Sequence, residues 1–316
     1  MRFTITHETR YRFSEPVQLH PHRAMLRPRD GHHLRLVDAT LMLSPSAPVI
    51  WSFDVFGNSI GTIAFDGMAQ EVLVTSTLDL ERFPASPESL VIDGRQAPYP
   101  VSYMPEERRD LAALILMDDE RAIPGLEAWI QNHNLRDHDD SLQMARALMA
   151  AVQASFTYLT RYDEGTLRPA QLLEAGSGTC RDYAFFMMEA ARVLGFAARF
   201  ATGYLYAPDL DGGETGYDGT AATHAWAELF IPDIGWVDYD PTNNLTGSAD
   251  LIKVASVRKP SQAIPLAGSF TGSTGAGGPP DVRVTVRRHR PEEAGPDETQ
   301  DGETPTEPAE TGSSAP

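Results

Sequence analysis

From Arg2 to about residue 84, apolar and polar side chains alternate. RFTITHETRYRF opens the pattern, and LVDATLMLSP, VIWSFDVFGNSIGTIAFDG and QEVLVTSTLDLERF continue it as strand-length runs separated by turn residues. Phe56-Gly57-Asn58-Ser59 reads as a hairpin turn, because Gly and Asn tolerate positive φ. Several short strands with no helical period predict a small antiparallel β-sandwich over residues 1–84.

The period then changes. Residues 85–105 are Pro-rich and read as a linker. Helical spacing follows in ERRDLAALILMDD, in PGLEAWIQNHNL with Pro124 at a first-turn position, and in SLQMARALMAAVQASF from Ser141. The last run places Leu142, Ala145, Leu148, Met149 and Val152 on one face, the signature of a core helix. Phe156-Thr157-Tyr158 ends that helix, and Arg168-Pro169 opens a short one before Gly176.

The stretch GSGTCRDYAFFMMEAARVLG, residues 176–195, contains Cys180, the single cysteine of the chain. Tyr183, Phe186, Met187, Ala190, Ala191 and Leu194 recur at three- and four-residue spacing, so this is an amphipathic helix capped at Gly195. Thr179 with Asp182 fits a capping-box start, with Ser177 as the alternative cap. Either choice puts Cys180 at or within the first turn, where free N–H groups and the positive end of the dipole favour a thiolate. Asp182 fits a cap role in that turn better than an acid role in chemistry. Ala197–Tyr206 reads as a strand. So does Thr223–Ile231, with His224 near its start and Trp226 and Glu228 as strand-packing residues. Gly235–Asn243 is a short strand ending in an Asp-Pro turn. A helix-start Cys, a strand His and a strand-end Asp are the parts of a nucleophile, its base and an orienting carboxylate. Alternation puts Asp238 and Asp240 on one strand face and does not choose between them.

In G-S-G-T-C-R-D-Y-A at 176–184, H-A-W-A-E at 224–228 and G-W-V-D-Y-D-P-T-N at 235–243, the chain resembles the transglutaminase-like superfamily of papain-like cysteine enzymes. Tyr11-Arg12-Phe13, Pro16-Val17, Leu26-Arg27-Pro28-Arg29 and Asp54-Val55-Phe56-Gly57-Asn58 resemble the region preceding this domain in bacterial members. The resemblance implies Cys180 as nucleophile, His224 as general base and acid, and Asp240, in Asp-Pro-Thr-Asn, as the residue holding the imidazole. It also implies Tyr158 as a candidate lining of the oxyanion site. It implies an α+β fold: an antiparallel sandwich, then a catalytic domain over 106–290 with a helix-start Cys packed on an antiparallel sheet. Where the family often continues as a Gly-Arg-Asp-Tyr-like motif, this chain reads Val257-Arg258-Lys259-Pro260 and departs from it.

The remaining stretches modify this picture only at its edges. PDLDGGETGYDGT (208–220) is an acidic, Gly-rich loop without EF-hand spacing, placed beside the expected cleft. Leu251–Val257 and Val282–Arg288 read as closing strands of the catalytic domain, and SQAIPLAGSFTGSTGAGGPP between them reads as flexible. His20, His22, His32 and His33 invite a metal reading, but nothing supplies the accompanying Cys or outer-shell pattern. No metal or cofactor is therefore expected. The formal charge is −18; residues 291–316 contribute eight acidic side chains and no Lys or Arg, and read as a disordered tail. The remainder, about −10, is still acidic enough to argue against nucleic-acid or anionic-membrane partners. A lone cysteine and an N-terminus that alternates like a strand point to a reducing cytoplasm. The expected activity is thiol chemistry on peptide or protein amides, as a peptidase or amidase. An acyl transferase is the alternative within the same chemistry, and a scaffold acting through the sandwich is the alternative without it.

Overall fold

The computed structural model describes residues 1–83, 87, 97–159, 165–206 and 223–289. The 208–220 loop, the acidic tail and most of the expected linker lie outside these residues. The first six strands are β1 (Arg2–Leu19), β2 (His22–Ala24), β3 (Leu34–Ser44), β4 (Val49–Phe53), β5 (Ser59–Ile63) and β6 (Gly67–Arg82). Then come α1 (Pro105–Asp110), α2 (Ala112–Ile115), α3 (Ile123–Asn132), α4 (Ser141–Ser155), β7 (Thr157–Tyr158), α5 (Pro169–Ala175), β8 (Ser177–Gly178) and α6 (Cys180–Val193). The chain continues through β9 (Ala197–Leu205), β10 (His224–Ile231), β11 (Gly235–Asp240), β12 (Leu245–Thr246) and β13 (Leu251–Val257). It closes with β14 (Leu266–Ala267), β15 (Phe270–Thr271) and β16 (Asp281–Arg288).

Two antiparallel sheets form the N-terminal sandwich. One runs β15-β1-β6-β3 with β16 also on β1; the other runs β14-β2-β5-β4. Strict alternation along β1 turns Phe3, Ile5, His7 and Thr9 inward, and all four are buried. Phe13, Val17, Leu19, Ile63, Phe65, Val72 and Val74 fill the space between the sheets. The expected turn at 56–59 joins β4 to β5, with Gly57 at φ 76°. Asp54 pins that turn by accepting from the N–H groups of Phe56 and Asn58.

A second unit is built on the antiparallel sheet β12-β11-β10-β9-β13. Helix α6 lies on β9 and β10, and its apolar positions Tyr183, Phe186, Met187, Ala190, Ala191 and Leu194 are all buried in the largest core. Gly195 follows the helix at φ 95°, the left-handed conformation that suits glycine after a helix end. The core face of α4 matches its spacing too, with Leu142, Ala145, Leu148, Met149 and Val152 all buried. At the other end of the expected linker, Ala97 and Tyr99 are buried, and the N–H groups of Ser141 and Tyr99 bond to Ala97 and Asp139. This part is packed on the core and does not behave as a free spacer.

The sheets do not divide where composition placed the boundaries. Val282–Arg288, expected to close the catalytic domain, pairs with β1 in the sandwich, and Glu8 stands opposite Arg283. The 261–280 segment, expected to be flexible, contributes β14 to β2 and β15 to β1. The physical reason is the long free edge of β1. Residues 1–84 supply only β6 for one side of it, and an uncovered edge of that length needs a partner. Alternation specifies the faces of a strand and not its neighbour.

The two units meet at one end of the sandwich. Phe3, Ile5, Leu78 and Leu80 pack with Tyr204, Tyr206, Ile252 and Val254. Asn58 exchanges hydrogen bonds with Ser256, and the Arg82 guanidinium donates to the carbonyls of Ser248 and Ala249. Buried His7 lies 3.0 Å from the Tyr204 hydroxyl and 3.1 Å from that of Thr9. Burial pushes its imidazole down to about 4, so the ring is neutral at pH 7. The unfolded imidazole titrates near 6.5, so this contribution is complete above that value and is lost as pH falls toward 4. We expect urea unfolding at pH 5 to show about 2 kcal/mol less stability from this residue than at pH 7. That part of the pH dependence should be missing in His7→Gln.

Candidate active site

The start of α6 is held by one carboxylate. Asp182 is fully buried and accepts from the Thr179 N–H (2.8 Å), the Thr179 hydroxyl (2.9 Å) and the Leu167 N–H (2.7 Å). This is the capping role expected from spacing. The chain is tightly packed at Gly178, where a Cβ would lie 2.7 Å from the end of the Leu172 side chain and 3.0 Å from the Asp182 Cβ. Cys180 is consequently fixed as the first residue of the helix, partly exposed. Its N–H belongs to the first turn, where no intrahelical acceptor exists.

His224 opens β10 and pairs with Gly203 on β9. Its Nε2 lies 2.7 Å from Asp240 Oδ2 at the end of β11. Cys180 and His224 line the same cleft, and Cys180 is among the groups that act on the imidazole. Cys180, His224 and Asp240, far apart in the chain, are thus brought together. Burial works against the charged imidazole, but the charge and hydrogen bond of Asp240, with those of Cys180, push it up to about 10. Burial likewise works to raise the Asp240 carboxyl. The His224 charge overcomes this, with hydrogen bonds from His224, Asn243 and the Thr242 N–H, and holds Asp240 below the usual carboxylate range.

Asp238 and Asp240 are separated by their partners. Asp238 accepts from Trp226 Nε1 (2.7 Å) and Lys253 Nζ (3.0 Å), whereas Asp240 faces His224. Trp226 is fully buried and stacks on the His224 ring at 6.0 Å between centroids. Glu228, also buried, takes a two-pronged bond from Arg199 and further bonds from Lys253 and Ser256. These side chains hold the strand and do not reach Cys180, in keeping with the packing role expected of Trp226 and Glu228. Asn243 is the residue to which spacing assigned no role. Its Nδ2 donates to Asp240 Oδ2 at 2.8 Å and lies 3.3 Å from His224 Nε2. The only signal for it was its place in Asp-Pro-Thr-Asn. Tyr158 pairs through its backbone with Gly178, but its ring is half-exposed against Tyr183 and is not among the residues lining the cleft. The N-terminal histidines have local partners: His20 the Thr271 hydroxyl, and His22 the His20 carbonyl. Among the described residues no three His, Cys, Asp or Glu side chains gather as a metal site.

Cys180 and His224 open into a cleft of about 1170 Å³. One wall is α6, through Arg181, Phe185 and Glu189 at four-residue spacing; another is Asp118–Arg121 with Arg168. The third is the 259–268 segment with Tyr11 and Gly277–Pro280, so the sandwich shapes the mouth.

A helix-start thiol packed on an antiparallel sheet, facing a strand-borne His–Asp pair, defines a papain-like cysteine-enzyme fold. Two stretches of the chain are similar to known families. Residues 130–241 match the family described as the transglutaminase-like superfamily, and residues 3–81 match the bacterial transglutaminase-like N-terminal region. An uncharacterized protein of Mycobacterium tuberculosis is 27% identical over 281 residues, 84% of this chain and 87% of that protein. One from Mycobacterium leprae is 24% identical over 301 residues, 90% of this chain and 97% of that protein. A solved structure from Cytophaga hutchinsonii, described as a "putative cysteine protease", superposes with a TM-score of 0.68 at 15% identity over 92% of both chains, and so shares the fold.

The raised His224 titration has a definite sign. The imidazolium contributes stability that is complete below about 6.5 and is lost as pH rises through about 10. Histidine ¹⁵N spectra should therefore show both His224 ring nitrogens protonated from pH 6 to 9. In Asp240→Asn the ring should become neutral within that range.

Proposed function

We propose that the protein is a cysteine hydrolase acting on peptide or protein amides, with Cys180, His224 and Asp240 as its machinery. The observation that carries this reading is the bond of His224 Nε2 to Asp240, with His224 and Cys180 lining one cleft. The Cys180 thiolate attacks the amide carbonyl, forming the C–S bond while the carbonyl π pair moves to oxygen. The Cys180 N–H at the helix start is placed to receive that oxyanion. The imidazolium gives its proton to the leaving nitrogen as the C–N bond breaks, leaving a thioester and a neutral imidazole. Neutral His224 then takes a proton from water as it attacks, and the acid and thiolate are released. Asp240 keeps the ring oriented and offsets its charge without taking the proton itself.

An amine in place of water gives acyl transfer by the same steps, so the triad geometry supports either outcome and the acceptor decides. The single cysteine supports action in a reducing compartment, the cytoplasm. No helix among the described residues is long and apolar enough to cross a membrane.

With a fluorogenic peptide-amide library as substrate, Cys180→Ala should abolish turnover. Asp240→Asn should lower kcat by about 10²-fold or more, and Asn243→Ala by about tenfold. Products formed in the presence of a primary amine such as glycine amide identify the acceptor. Predominance of the free acid supports hydrolysis, and predominance of the amine adduct makes the protein a transferase. Full turnover by Cys180→Ala would overturn the reading.

A further inference from the structure

The 259–268 part of the cleft lining contains a strand edge. The Met25 N–H bonds to the Pro265 carbonyl at 2.7 Å, and beyond that pair Ala24 stands opposite Leu266 and Arg23 opposite Ala267. Facing residues in an antiparallel ladder alternate between hydrogen-bonded and non-bonded pairs. Since Met25–Pro265 is bonded, Arg23–Ala267 is the next bonded pair, and Leu266 and Gly268 turn their N–H and C=O groups away from β2. β14 is the outermost strand of its sheet, so among the described residues no strand pairs with that side. The Leu266 carbonyl accepts a long bond from the Tyr11 hydroxyl (3.5 Å), and neither the Leu266 N–H nor the Gly268 N–H has a partner among the described residues. Gly268 is exposed, and its glycine is enforced: a Cβ there would sit 2.2 Å from the His22 ring. Leu266, Ala267 and Gly268 line the same cleft as Cys180 and His224.

We infer that this edge is the substrate-docking rail: an extended peptide lies in the cleft as an added strand, pairing its backbone with Leu266 and Gly268 while presenting a carbonyl to Cys180. The inference rests on Cys180 being the nucleophile. Pairing of this kind reads the main chain and tolerates many side chains. It accounts for the chain returning to the sandwich after β13, since β2 is what holds the rail in place. It also assigns the enzyme to extended, unfolded segments of peptide, in preference to free amino-acid amides or isolated side-chain amides.

The test compares two adducts of the intact protein at Cys180. One is made with iodoacetamide, and the other with acetyl-tetraalanyl chloromethyl ketone, which carries a peptide backbone. Amide hydrogen exchange at Leu266 and Gly268 should be at least tenfold slower in the peptidyl adduct than in the carbamidomethyl adduct. Single N-methyl groups placed along the tetra-alanine should slow inactivation about tenfold at alternate positions only. Equal exchange in the two adducts, or an N-methyl series without alternation, while iodoacetamide still alkylates Cys180 rapidly, would overturn the rail and leave the nucleophile intact. An inert Cys180 toward both reagents would overturn the nucleophile and the rail together.

Discussion

Asp240 is a charge with no access to water, and the site depends on how that charge is balanced. A buried carboxylate is costly unless paired and hydrogen-bonded. Here the pairing falls to His224, with Asn243 and the Thr242 N–H completing the set. The imidazole is thereby held in its charged form, in the cleft that it shares with Cys180. The start of α6 supplies a further positive potential at Cys180. The polarity of the whole site follows from one buried carboxylate.

The rest of the fold keeps that balance geometrically narrow. Asp182 fixes where α6 begins, and Gly178 lets the preceding chain approach it. Trp226 supports the imidazole face while bonding to Asp238, and Lys253 ties Asp238 to Glu228. Burial would raise Glu228, but the charges of Arg199 and Lys253 hold it ionised well below the usual carboxylate range. Ser256 carries this network on to Asn58 in the sandwich hairpin. The sandwich is therefore joined to the sheet that bears His224, and through β14 it also shapes the cleft.

Much of this was legible in the residues. Period-two and period-3.6 patterns located β1, β6, α4 and α6, and Thr179 with Asp182 marked the helix start. Cys180 and His224 stood out by the elements they occupy, and Asp240 was preferred to Asp238 through the resemblance of its Asp-Pro-Thr-Asn. Other features were hidden for physical reasons. Strand pairing is non-local, so nothing in VRVTVRR shows that it covers the free edge of β1. Glycine and proline in 261–280 resemble a flexible linker, because the hydrogen bonds that order that segment come from β1 and β2. Asn243 acts by a bond that forms only once its turn brings it over Asp240. Asp238 and Asp240, equivalent by alternation, are distinguished by what lies above each of them.

The proposed mechanism depends on Cys180 and His224 forming a thiolate–imidazolium pair. Its most direct measure is the rate of Cys180 alkylation by iodoacetamide across pH 5 to 9, in the native protein and in His224→Ala. If that pair forms, labelling should be fast already at pH 6, where a free thiol is almost wholly protonated, with little further rise to pH 8. In His224→Ala the rate should be low at pH 6 and climb with pH as a simple thiol does. Slow labelling of the native protein, unchanged by the substitution, would contradict the pairing and remove the basis for the enzyme.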